Sequence, residues 1–379
     1  MLIRAGDNII SPLGFTTEEN FRAVGEGRSG LRRHEGALMD VPEAFMASLI
    51  DRERLRDAFA DVCHHADNCT PLEQAAILSA GKAAEEAQID LSHPRVLFVF
   101  SSTKGNVHLL DERERRYGRE HLYLWHSAQL LATYFGNPNV PVVVSNACIS
   151  GASAQIAAMR ALHSGAYDYA VVTGVDLLSR FIISGFQSFK ALSQEMCRPF
   201  DVSRAGLNLG EAAATVIYRQ EEQGCAGDVA LLRGAVRNDA NHISGPSRTG
   251  EGCFRALRYV LQDIPADAIA FVNAHGTATL YNDAMESAAL ARAGLNTVPV
   301  NSLKGYFGHT LGAAGVLESI ISHRALQART VLPTLGFSEP DNDCPISVTR
   351  APAAASQPYC LKMLSGFGGC NAVLLFKLL

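Results

Sequence analysis

Nowhere in the 379 residues is there an apolar run close to the roughly 18 to 20 residues that span a bilayer, and the opening MLIRAGDNIISPLG holds no apolar stretch of secretory length. The expectation is a chain that neither inserts into a membrane nor leaves the cytoplasm. Blocks of one charge sign are also missing. A formal net charge of -5, spread without a basic stripe, gives no electrostatic footprint for nucleic acid or an anionic membrane surface. Small molecules or a carrier protein are the expected partners. No Pro- or Ser-rich linker separates two independent domains. The nine cysteines are scattered and odd in number, which fits free thiols in a reducing compartment better than a disulfide framework. The densest group, Cys63, His64, His65 and Cys69, cannot set its adjacent histidines on one helix face and has no second ligand pair, so no metal is expected there. It reads as a solvated segment before a helix starting near Thr70-Pro71-Leu72-Glu73.

What is present is enough apolar material for a large core, 47% of residues against 19% charged. Short apolar runs at Val96–Phe100, Val142–Ser145, Ala170–Thr173, Ala213–Tyr218, Ala270–Asn273, Val298–Asn301 and Ala372–Phe376 read as buried strands. Ala-rich helical stretches lie between several of them, the alternation of an α/β protein. The pattern also repeats. VVVSNACISGASAQIAAMRAL in the first half and VPVNSLKGYFGHTLGAAGVLESIISHRAL in the second are each a strand, a polar turn and a small-residue helix. Both halves end in a Gly-rich loop feeding an apolar strand, so two related halves, 1–220 and 221–379, are expected. The segments Gly151–Ala161 and Gly312–Gly315 carry almost no charge, and small side chains let helix axes approach closely. They are expected to form a buried central layer.

Three turns concentrate reactive side chains. Cys148 falls between the strand Val142–Ser145 and a helix opening at Ile149-Ser150-Gly151, where unpaired N–H groups and the helix dipole favour a thiolate nucleophile. His275 follows a strand, in Asn273-Ala274-His275-Gly276-Thr277-Ala278-Thr279. His309 closes Lys304-Gly305-Tyr306-Phe307-Gly308-His309, before the second small-residue helix. Strand-to-helix turns are where α/β sheets place their sites.

These motifs, with Asn146-Ala147-Cys148-Ile149-Ser150-Gly151, resemble the three signatures of β-ketoacyl-acyl-carrier-protein synthases. Ser11-Pro12-Leu13-Gly14, Arg198-Pro199-Phe200-Asp201, Gly210-Glu211, the triplet Asn282, Asp283 and Glu286, and Gly366-Phe367-Gly368-Gly369 extend the likeness over nearly the whole chain in the family's order. The resemblance implies a thiolase-like fold, a five-layered αβαβα duplication, with the Cys-His-His site of elongating synthases. It implies an acyltransferase that joins an acyl group held on Cys148 to the carbanion of a decarboxylating malonyl thioester, giving a 3-oxoacyl product.

By the same resemblance, the backbone N–H groups of Cys148 and Phe367 form an oxyanion hole, and Phe367 gates the acyl pocket. His275 and His309 donate to the malonyl thioester carbonyl, Lys304 orients His309, and Glu318 organises the surroundings. Thr277 and Thr279 meet the phosphopantetheine arm, with His242 along its route. The chain itself needs no cofactor, because the acyl carrier protein brings the phosphopantetheine. A homodimer, or a heterodimer with a related subunit, is the expected assembly. Cys370 stands where the family has threonine and is read as structural.

Two departures bear on the substrate. Ser101-Ser102-Thr103-Lys104-Gly105-Asn106 puts Lys104 where the family has an apolar residue at the foot of the acyl pocket, predicting a shortened pocket or a polar or polyene-type chain. The segment from Lys104 to Asn137 is shorter than usual and carries a charged helix at residues 111–116. Both point to specialised polyene or polyketide assembly as a competitor to fatty-acid elongation. The alternatives are a non-catalytic chain-length-factor-like partner, against which the retained Cys148, His275 and His309 weigh, and a thiolase-type acyltransferase, which lacks its second cysteine.

Overall fold

The computed structural model describes residues 1–63, 68–111, 116–242 and 245–379. His64 and His65, and residues 112–115 of the expected charged helix, lie outside the described residues. The first half contributes strands β1 (Leu2–Ile10), β2 (Val96–Ser101), β3 (Val142–Val144), β4 (Tyr169–Asp176) and β5 (Ala212–Gln220). The second contributes β6 (Val229–Asn238), β7 (Ile269–Asn273), β8 (Pro299–Asn301), β9 (Tyr359–Gly366) and β10 (Cys370–Leu378). The first set lies in the order β3-β2-β4-β5-β1 and the second in the order β8-β7-β9-β10-β6, so each strand has a counterpart in the other half. In both sets the three outer strands run parallel and the hairpin-like inner ones antiparallel. β1 and β6 meet through Leu2–Leu231 and Ile3–Ala230, and with a short strand beyond β8 the ladder runs unbroken through 11 strands.

The helices repeat in the same way. Among them, in chain order, are α1 (Pro71–Ala87), α2 (Leu124–Tyr134), α3 (Ser150–His163), α4 (Arg180–Ser188), α5 (Glu251–Leu261), α6 (Leu280–Arg292) and α7 (Ala314–Gln327). Thr70 caps α1 through a reciprocal pair with Glu73, with Pro71 in the first turn where its missing N–H costs nothing. α1 covers β1, β4 and β5, while α5 covers β6 and β10. Between the two five-strand sets of this sheet lie α3 and α7, and α7 touches β5 on one side and β9 on the other. The architecture is therefore the layered αβαβα arrangement expected of a thiolase-like fold.

Why these two helices can share one layer is visible at their crossing. A Cβ on Gly315 would stand 2.3 Å from Ala152 N and 2.7 Å from Gly151 C, and one on Gly151 would stand 2.8 Å from Val316 N. Backbone touches backbone there, which only glycine permits. α3 begins two residues after Cys148 and α7 five residues after His309, so this contact sets the separation of the two turns. Among the described residues no helix is long and apolar enough to cross a membrane. Cys69, expected in a solvated segment, is instead buried and packs into the core beneath α1.

Candidate active site

The turn bearing Cys148 is fixed locally. Ser150 Oγ accepts from Asn146 N–H at 2.8 Å and donates to Ala147 O at 2.6 Å, folding the chain back on itself before α3 begins. Ala147 is thereby held at φ +44°, a left-handed conformation costing a side-chain-bearing residue about 1–2 kcal/mol. That strain directs Cys148 into the cleft between the halves.

The His275 loop hangs from α6. Glu286 accepts from the N–H groups of His275 and Gly276, both at 2.7 Å, and Asp283 accepts from Thr277 N at 3.0 Å, Ala278 N at 3.1 Å and Phe200 N at 2.8 Å. The two carboxylates of the Asn282, Asp283 and Glu286 triplet are thus the clamp on that loop. Gly276 has φ +46°, and a Cβ there would meet Ser302 and the Phe200 ring at 2.6–2.8 Å. His309 is anchored by its own N–H to Asn208 O at 2.7 Å, and its Nδ1 accepts from Leu311 N at 3.4 Å. A neutral ring in that setting carries its proton on Nε2, which has no partner among the described residues. His275 Nδ1 is likewise unpartnered.

The structure brings the three groups together. Donor atoms of Cys148, His275 and His309 all lie within 4.8 Å of one another, the rings edge to face with centroids 4.9 Å apart. All three side chains are buried. Burial first, then Lys304 and Lys362, hold both imidazoles well below their ordinary pKa, with His309 adding to the effect on His275. Both are neutral donors at physiological pH. Lys304 bonds Glu318 on α7, and Glu318 also meets Lys362 Nζ at 2.5 Å. The two ammonium groups keep the Glu318 carboxyl ionised against its burial. Lys304 forms no hydrogen bond to either imidazole among the described residues.

The same three donors form the only group with metal-ligand spacing among the described residues. The neighbouring lysines repel a dication and favour an anionic guest. A cavity of about 500 Å³ opens onto them, lined by Thr277, Thr279, His242 and, at its mouth, Phe186, Phe189 and Phe367. Thr277 and Thr279 hydroxyls pair at 2.9 Å. The Phe367 ring stacks on Phe186 at 5.7 Å and meets Phe189 edge-on at 5.4 Å.

Residues 5–223 match the β-ketoacyl synthase N-terminal domain and residues 229–338 its C-terminal domain. The chain belongs to the β-ketoacyl synthase family. Nodulation protein E of Rhizobium leguminosarum bv. trifolii is 33% identical over 246 residues, 62% of this chain and 60% of that protein. The 3-oxoacyl-[acyl-carrier-protein] synthase 2 of Vibrio cholerae serotype O1 is 32% identical over 259 residues, 63% of this chain and 62% of that one. The chain thus spans 60–62% of the length of these curated relatives. Among solved structures, a β-ketoacyl synthase from Burkholderia phymatum STM815 superposes with a TM-score of 0.86 at 25% identity, covering 100% of this chain and 99% of that one. The ishigamide ketosynthase/chain length factor superposes at 0.88 with 26% identity, covering 100% and 99%.

Within this β-ketoacyl synthase family member, two expectations need correction. Burial, followed by Cys370, pushes the Cys148 thiol up to about 12, and Lys304 and Lys104 pull it only partly back. The resting group is a thiol, because the desolvation of a sulfur in a closed cleft outweighs one helix terminus. Lys104 does not line the cavity. It is exposed, while its backbone and that of Thr103 wrap the buried Asp176 carboxylate, which also accepts from Gly312 N at 2.7 Å. The amine at the foot of an acyl pocket is therefore withdrawn, and the polar loop it belongs to instead bridges the two halves. Sequence reading also missed Phe186, Phe189 and Lys362. None lies in a recurrent motif, and only the tertiary fold brings the two phenylalanines to the cleft and Lys362 onto the carbonyls of Asn273 and Ala274 behind it.

Proposed function

We propose that this chain is a 3-oxoacyl-[acyl-carrier-protein] synthase, and the observation that carries the reading is the buried trio Cys148, His275 and His309 within one reacting carbon's reach. The thiol proton passes to a neutral imidazole as sulfur attacks the carrier-bound thioester. The carrier thiol leaves with that proton, and the acyl group stays on Cys148. The N–H groups of Cys148 and Phe367 donate to no other group among the described residues, which supports their role as the oxyanion hole. A malonyl thioester then loses its carboxylate as carbon dioxide. The electron pair moves to the thioester oxygen, where His309 Nε2–H and His275 donate, and the enolate carbon attacks the acyl carbonyl, releasing Cys148.

The rest of the reading accompanies that chemistry. Phosphopantetheine of an acyl carrier protein enters past Phe367, with Phe186 and Phe189 completing the gate, and meets Thr277, Thr279 and His242. No further cofactor is needed. The halves are 1–220 and 221–379, the protein acts in the cytoplasm, and its substrate is a fatty-acid or polyene-type chain. The exposed edge β3, with Val140, Val142, Tyr123 and Trp125 uncovered, is the surface for a second copy or a related subunit. The test is intact mass after incubation with a panel of acyl carriers, then malonyl carrier. Wild type gains the acyl mass and loses it as 3-oxoacyl carrier forms, while Cys148→Ala gains none. No adduct with any chain overturns the assignment in favour of the non-catalytic chain-length-factor-like partner, and an adduct that malonyl carrier fails to discharge overturns the condensation step.

A further inference from the structure

Lys362 is fully buried in the middle of β9, where a strand facing the core calls for an apolar side chain. It pairs in register with Asn273 of β7. Its Nζ lies 2.5 Å from Glu318 Oε2, 3.2 Å from Ala274 O and 3.4 Å from Asn273 O, the two carbonyls that precede His275. Glu318 is already neutralised by Lys304, which opens the turn ending at His309. A second ammonium group leaves this buried cluster with a net positive charge, a desolvation cost without return in stability, since a methionine there would pack against a neutral pair. Burial and Lys304 push Lys362 down from its ordinary value, whereas Glu318 and, more weakly, Glu286 hold it up.

The consequence is a frame. Through Glu318 the strand end that carries His275 is tied to the turn that carries His309, and Phe367 lies on the same strand's continuation. The charge also faces both imidazoles. Resting on the condensation reading above, we propose that Lys362 is a positioning residue for the decarboxylation and condensation half of the reaction: with Lys304 it clamps Glu318, fixes the His275 and His309 loops in one frame, and supplies a net positive charge that favours the enolate.

The test uses the full chain with Lys362→Met and Lys362→Gln, the latter able to donate to the two carbonyls without charge. Acylation of Cys148 and carbon dioxide release from malonyl carrier are timed separately from pH 5 to 9. The expected loss in carbon dioxide release exceeds any loss in acylation by at least about tenfold in Lys362→Met. In both variants the acid limb moves to higher pH by about half a unit, because a cation facing His275 and His309 has gone. Lys362→Gln is expected to recover part of the rate but not the pH shift. Equal losses in both steps with an unmoved acid limb overturn the proposal, as do variants that match wild type. Failure of both variants to fold assigns Lys362 a structural role only and also overturns it. Wild-type protein that never acylates Cys148 sinks the condensation reading itself, a separate result.

Discussion

Adding one methyl group at Gly315 tests whether the helix crossing sets the site. Its Cβ would lie 2.3 Å from Ala152 N and 2.7 Å from Gly151 C, both backbone, so no side chain can rotate away. Restoring ordinary contact parts α3 and α7 by about 1 Å, an overpacking at the upper end of the usual range, about 3 kcal/mol. With an unfolding entropy of about 2.1 cal/mol/K per residue, that lowers Tm by about 4 °C in a chain of this length. The same displacement moves Cys148 relative to His309, and about 1 Å of misplacement is worth about 100-fold in rate. Calorimetry and the rate of Cys148 acylation measure the two effects on one preparation of Gly315→Ala. Gly185→Ala in α4 is the control, since nothing stands within 4 Å of its added Cβ. Alanine there should stabilise by about 0.5–1 kcal/mol. If Gly315→Ala melts with wild type and acylates at the same rate, the crossing is not the spacer it is argued to be.

Further outcomes follow from burial and charge. His323 is fully buried against Phe376, with both ring nitrogens unpartnered and its pKa held down by burial, then by Arg4 and Arg324. A histidine depressed by burial carries no titration penalty above its unfolded pKa near 6.5, and destabilises the fold as pH falls below, because the unfolded chain takes the proton. His323→Phe should therefore stabilise by about 1 kcal/mol at pH 7.5, and by about 1.4 kcal/mol more per pH unit below 6.5, in urea titrations at a series of pH values. Iodoacetamide should modify resting Cys148 at a rate that climbs with pH through 9, and a plateau near pH 7 would show a preformed thiolate instead. Glu286→Ala removes the acceptor for two backbone N–H groups at 2.7 Å and should lower carbon dioxide release about 10- to 100-fold, with folded protein recovered. Retention of the full rate would remove Glu286 as the clamp of the His275 loop.

Most strands and the small-residue helices were legible in the chain because each is local: apolar runs of strand length, glycine and alanine where axes must approach, polar turns between them. Cys148, His275 and His309 were legible because each sits in a short turn whose chemistry is written in consecutive residues. β1, β6 and β9 escaped that reading for one reason. Their runs are broken by Arg4 and Asp7, by Arg233 and Arg237, and by Lys362, and Arg4, Asp7, Arg233 and Lys362 find partners in other elements of the fold. Arg4 and Asp7 are satisfied with Glu86 and Arg324, and Lys362 with Glu318. A charge in a strand looks like a surface residue until its counter-charge is placed.

The sequence by itself determined which residues can react and which elements bear them, since a thiol, two imidazoles and the glycines that let helices approach are properties of short segments. Only the tertiary structure decided how they meet and in what protonation state. The distance between Cys148 and the two rings depends on α3 and α7 touching backbone to backbone. Whether a thiol or a thiolate rests there depends on burial, a quantity that no stretch of neighbours along the chain can specify.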